Sequence, residues 1–174
     1  MPTPIGHTLI AGIIYTISCQ RCCLRKKKQP WQEWIYLLFC IFLASLPDID
    51  LISISSSGIK FSWENHHGTT HSIGFVLLIS LIVSIAVGIF RGNWKKWCLL
   101  SSLCVGSHVF LDIFITKNGL MLFYPLSYHR IILATGFPFG YSPEMGFVGF
   151  VVISAVEELV ILGSIMVVVW RMRR

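Results

Sequence analysis

His66-His67-Gly68-Thr69-Thr70-His71-Ser72, running directly into Ile73-Gly74-Phe75-Val76-Leu77-Leu78-Ile79, is the stretch from which the rest of this chain is read. The apolar run continues to residue 90 without a charged side chain. That is long enough to cross a hydrocarbon core of ~30 Å as a helix. The polar heptad ahead of it holds three of the six histidines. Histidine is the commonest metal ligand among side chains, and its neutral ring serves as an acid or base near pH 7. His66 and His71 are five residues apart, which on an α-helix is roughly 500°, or about 140° off a shared face. Both reach one ion only if His66 lies in a loop and His71 near a helix start. Gly68 permits the bend, and Thr70 or Ser72 can cap the helix that follows. Taken alone, the heptad reads equally well as a polar loop bonded to its own backbone.

Composition places the chain in a membrane. Of its 174 residues, 55% are hydrophobic and 13% charged, with a mean hydropathy of +0.73. A soluble domain carries about a quarter charged residues. The net charge of +6 does not indicate a nucleic-acid partner, because the Lys and Arg residues bracket apolar runs as topology signals do. The first apolar run lacks a basic leader and a small-residue cleavage site, so no cleavable signal peptide is expected. Cys19, Cys22, Cys23, Cys40, Cys98 and Cys104 show no complete zinc motif and read as reduced, structural thiols.

Five runs, at about residues 3–20, 32–47, 72–90, 97–115 and 146–170, predict transmembrane helices. Arg21, Arg25, Lys26, Lys27, Lys28, Arg91, Lys95, Lys96, Arg171, Arg173 and Arg174 fall on one face. Only Lys60, Lys117 and Arg130 fall on the other. The positive-inside rule makes the eleven-residue face cytoplasmic, with the N-terminus outside and the C-terminus inside. Residues 116–145 contain Gly119-Leu120-Met121-Leu122-Phe123-Tyr124-Pro125, apolar but too short to span. That segment is expected to dip into the interface or to cover a site. The expected fold is an all-α integral membrane protein, a single domain over 1–174, with about five transmembrane helices and a short interfacial or re-entrant segment.

On this topology the polar motifs converge at the outer ends of the spans. Gly6-His7 opens the first, Leu46-Pro47-Asp48-Ile49-Asp50 closes the second, and the heptad opens the third. His108 and Asp112 lie one turn apart on the fourth, sharing a helix face. A charge inside a span is costly and by default suggests function. The donors His7, Asp48, Asp50, His66, His71, His108 and Asp112 form a nitrogen and carboxylate set that suits zinc, with manganese or iron behind it. Seven exceed the need of one ion, so one or two ions are expected. Asp48-x-Asp50 is a candidate bridge, and such a pair suits phosphoryl displacement. Glu157 and Glu158, midway along the fifth span, cannot both face lipid cheaply, so at least one is expected to be protonated or hydrogen-bonded inside the bundle. A proton relay is one use for them.

Gly6-His7, Leu46-Pro-Asp-Ile-Asp50, His66-x-Gly-x-Thr-His71-Ser72 and Ser107-His108-x-x-x-Asp112-x-x-x-Thr116 occur in that order. This order resembles the YdjM-like membrane-bound metal-dependent hydrolases, and Gly119 to Pro125 resembles that family's Gly-x-x-x-x-Trp-Pro region. The family is in turn similar to zinc-dependent phospholipase C and P1-type nucleases. The resemblance implies a zinc-dependent hydrolase in the cytoplasmic membrane of a bacterium, and the basic-residue topology above puts its site on the outside. The implied substrate is a phosphate ester of a lipid or lipid-linked head group. The chain departs from the pattern at His67, where the family has Arg, and at Lys117, where it tends to have Pro. Asp50, His67 and Arg130 are the expected catalytic or substrate-orienting residues. If His67 replaces the arginine it acts only when protonated, so activity falls as pH rises well above ~6.5. The reading from a different class is a metal-ion or proton-coupled transporter, with Glu157 and Glu158 continuing the path inward.

Overall fold

The computed structural model describes residues 3–23, 30–50, 67–116, 119–133, 144 and 146–172. Among them are five α-helices and no β-strand: α1 (Pro4–Cys23), α2 (Pro30–Ser45), α3 (Ile73–Arg91), α4 (Trp94–Ile115) and α5 (Gly146–Arg171). Two short 3₁₀ turns, Leu46–Ile49 and Thr69–His71, carry the polar motifs at the ends of α2 and α3.

Each boundary has a local cause. Ser72 caps α3, its hydroxyl accepting from Phe75 N at 3.1 Å and donating to Thr69 O at 2.8 Å. At the other end Gly92 (φ 67°) takes a positive-φ extended conformation open to glycine, and Asn93 (φ 56°) takes the left-handed one, and together they reverse the chain into α4. The hairpin is tight: a Cβ on Gly88 would lie 2.9 Å from Cβ of Trp94. Ser84 closes the same corner by donating to Trp94 O at 2.9 Å.

Helices α1, α2 and α4 pack around Ala11, Cys40, Leu43, Ala44, Trp97, Leu100, Cys104 and Val105. Helix α3 lies along α4, and α5 along α1. The surface is apolar, with Leu77, Leu81, Ile85 and Ile89 of α3 and Val148, Val152, Val156 and Leu159 of α5 exposed. Small hydroxyls are buried instead, and Thr16, Ser80 and Ser101 each donate to a carbonyl one turn back. Lipid offers backbone and hydroxyl groups no partner, so a bundle in lipid turns these groups inward.

Among the described residues four segments are long and apolar enough to cross a bilayer, Trp31–Ile49, Ile73–Arg91, Trp94–Phe114 and Val148–Arg171. The first of the five expected spans is a helix, but its apolar part, Pro4–Ser18, is shorter. At ~1.5 Å per residue it covers about 22 Å, and α1 begins part-way down α5 rather than level with its end. Residues 119–133 form an irregular turn, closed by mutual backbone hydrogen bonds of 3.0 Å between Leu120 and Ile131. Ile73 N docks it on α3 by donating to Leu122 O at 2.9 Å, while Leu126 and Tyr128 project outward.

Candidate metal centre

The ends of α1, α2 and α3 meet α4 at one level, and their polar residues turn inward there. His108 lies on α4 about 21 Å from Trp94 along the axis, at ~1.5 Å per residue. The basic residues Arg91, Lys95 and Lys96 mark the opposite end of the bundle. His7, His67, His71, His108 and Asp112 are buried to 1% exposure or less.

Among the described residues three donor groups overlap here: His7, His108 and Asp112; Asp48, His71 and His108; His67, His71 and Asp112. Within each, one ligand atom per residue lies within 4.8 Å of the others. Nε2 of His71 is 3.1 Å from Oδ2 of Asp112 and 3.7 Å from Oδ1 of Asp48. Nε2 of His108 is 3.3 Å from the same two oxygens. The rings of His7 and His108 stack at 3.7 Å, 8° from parallel.

Hydrogen bonds on the far side of the rings fix the tautomers. Nδ1 of His108 lies 2.6 Å from Ala44 O. A carbonyl can only accept, so that nitrogen carries the proton. Thr70 donates its single hydroxyl proton to Oδ2 of Asp50 at 2.9 Å. Its oxygen therefore accepts from Nδ1 of His71, 3.0 Å away. In both neutral rings the remaining lone pair is on Nε2, and these two atoms face each other at 3.2 Å. Two lone pairs beside buried carboxylates require a cation between them, a proton or a metal ion. Both oxygens of Asp112 and both ring nitrogens of His7 are buried with no hydrogen bond, as donors awaiting a metal would be.

Of the seven expected ligands, the structure gathers His7, Asp48, His71, His108 and Asp112. Asp50 stands behind His71, 3.8 Å from its Nδ1, and orients that ring through Thr70. His66 lies outside the described residues. Its neighbour His67, expected to orient substrate, lies within one of the donor groups, with His71 and Asp112. His67 packs edge-on to His71, and its Nδ1 lies 3.1 Å from the Thr116 hydroxyl. Arg130 donates to Gly119 O at 3.1 Å in the turn that follows α4. Sequence reasoning missed Thr70, Ala44 O and Thr116 as orienting partners, although Thr70 and Thr116 stand inside the quoted motifs.

Burial opposes a charge on His71, but the carboxylates of Asp112 and Asp48 outweigh it and raise the ring above the ordinary histidine value of 6.5. A raised pKa adds stability that is full below ~6.5 and lost as pH rises through the folded-state value. The metal-free protein is thus expected to lose thermal stability with rising pH. With zinc bound, that alkaline loss should disappear, because the ion replaces the proton. Melting curves with and without chelator between pH 6 and 10 check this, and parallel pH dependences would contradict it.

An all-helical membrane bundle with a buried His/Asp cluster near one end is the class that fold and site define. The chain matches the family model described as YdjM inner membrane protein over residues 1–173, and it belongs to that family. It is an integral inner-membrane protein. No curated protein and no solved structure was found to match it.

Proposed function

We propose that this protein is a metal-dependent hydrolase that cleaves a phosphate ester of a lipid or lipid-linked substrate. The observation that carries the reading is the facing pair of Nε2 lone pairs of His71 and His108 against Asp112. Asp48, His71 and His108 would hold one ion. The other two groups each share His108 or His71 with that one, so a second ion would have Asp112 with His7 or His67 as its own donors. Zinc fits this donor set best, with manganese or iron next. A bound pair supplies Lewis acidity, which acidifies a water and offsets charge on phosphoryl oxygens.

The residues of the chain do the holding and orienting. Asp50 and Thr70 keep the His71 proton on Nδ1, and Ala44 does the same for His108. Arg130 is assigned the orienting of the anionic group, for which a guanidinium is suited. The phosphate ester is inferred from the distant resemblance expected between the family and zinc-dependent phospholipase C and P1-type nucleases. Two observations favour this reading over a transporter. The donors gather at the ends of α1, α2 and α3 away from Arg91, Lys95 and Lys96, and Glu158 of α5 is engaged by backbone amides rather than placed along a path.

The eleven-to-three basic asymmetry makes Arg91, Lys95 and Lys96 the cytoplasmic end, so the site would face outside. A reporter fused after Arg174 is expected to read cytoplasmic, and one inserted at Gly58 external. The reverse would move the site to the other leaflet. The activity is tested with zinc-loaded protein on phospholipids and polyprenyl phosphates. Zinc-dependent release of phosphate or phosphorylated head group is expected, and its absence across both classes would overturn the phosphate-ester reading.

A further inference from the structure

Glu158 sits in the middle of α5, is only 3% exposed, and belongs to none of the donor groups. Its carboxylate closes the N-terminus of α1. Thr3 N donates to Oε1 at 2.8 Å and to Oε2 at 3.0 Å, and Gly6 N donates to Oε2 at 3.0 Å. The Thr3 hydroxyl donates to Oε2 as well. Thr3 occupies the capping position, since its carbonyl accepts from Gly6 N. Its side chain caps nothing locally and is turned toward α5 instead. A carboxylate at this point also meets the positive end of the helix dipole.

The closeness of the contact explains the residue before His7. A Cβ on Gly6 would fall 2.8 Å from Oε2 and 2.9 Å from Cδ of Glu158. Any side chain here would push the carboxylate from this position against the first-turn amides.

His7 follows immediately, one turn into the helix. His108, His71 and His67 each have a ring nitrogen held by a hydrogen bond on the side away from the cluster. His7 has none at either nitrogen and only stacks on His108. The depth and rotation of α1 must therefore aim its ring. We infer that Glu158 is a positioning residue of the metal centre, setting His7 among the donors by anchoring the first turn of α1 to α5. This rests on the metal reading given above. It gives the buried carboxylate a task other than proton transfer.

The test is zinc affinity of the full-length protein in nanodiscs, by competition with a chromophoric chelator. Glu158→Gln keeps the shape but turns an N–H group toward donors. It is expected to weaken the ion held by His7 by about 10–100-fold, the usual effect of losing a group that orients a ligand. Gly6→Ala, which crowds the carboxylate from the other side, should act alike even if Glu158→Gln folds poorly. Glu157→Gln should bind as wild type does. In a His7→Ala background Glu158→Gln should add nothing, a result that general loosening of the bundle would not give. Wild-type affinity in both Glu158→Gln and Gly6→Ala would overturn the proposal, as would a further loss on top of His7→Ala. His71→Ala separates the two levels. If it binds zinc as wild type does, the metal reading fails and this proposal with it. If it alone loses zinc, only the role of Glu158 fails.

Discussion

Asp112→Asn is expected to lower zinc affinity by roughly 3–5 kcal/mol, about 100- to 5,000-fold, the cost of removing one partner from a buried charged cluster. Asp112 is fully buried and its oxygens lie 3.1 and 3.3 Å from the Nε2 atoms of His71 and His108. It is also common to two of the three donor groups. The amide keeps the volume and removes the charge, so cavity effects do not enter. Asp50→Asn should be milder, about 10–100-fold, because Asp50 acts on His71 through Thr70. Zinc titrations of the two variants check the order. Equal losses would place Asp50 among the ligands, as Asp48-x-Asp50 suggested from spacing.

The second large effect is on stability. Ions that bind only the folded chain stabilise it by about 4 kcal/mol per site at a thousandfold excess over Kd. For a chain of this size that is roughly 8–16 °C in Tm. Wild-type protein should melt that much lower in chelator and recover with zinc, whereas Asp112→Asn should melt at one temperature in both. A zinc response in the variant equal to that of wild type would contradict the assignment of Asp112.

The helices were legible because a run such as Ile73 to Phe90 permits little else, and the basic flanks divided the ends of the bundle. The i, i+4 pair His108 and Asp112 was legible for a similar reason, since helical spacing fixes their common face. The division of labour between Asp48 and Asp50 was not. Both stand at a 3₁₀ turn of ~120° per residue, so residues two apart point about 240° apart. One therefore meets the cluster and the other the back of His71. His67 was hidden similarly, because the backbone from Gly68 to His71 is a turn rather than a helix. The cap on α1 joins residues 155 apart in sequence, and no local pattern announces it. Nor did hydropathy show that α1 starts level with Glu158, where the carboxylate ends it.

Whether His71 and His108 hold a metal is decided by metal content. Purified protein, exposed to zinc and then freed of loosely bound ions, is analysed for metal beside His71→Ala and His108→Ala. One or two zinc ions per chain are expected in the wild type, with a loss of zinc from both variants. A wild type that holds no metal, or variants that hold as much as it does, would contradict the metal centre.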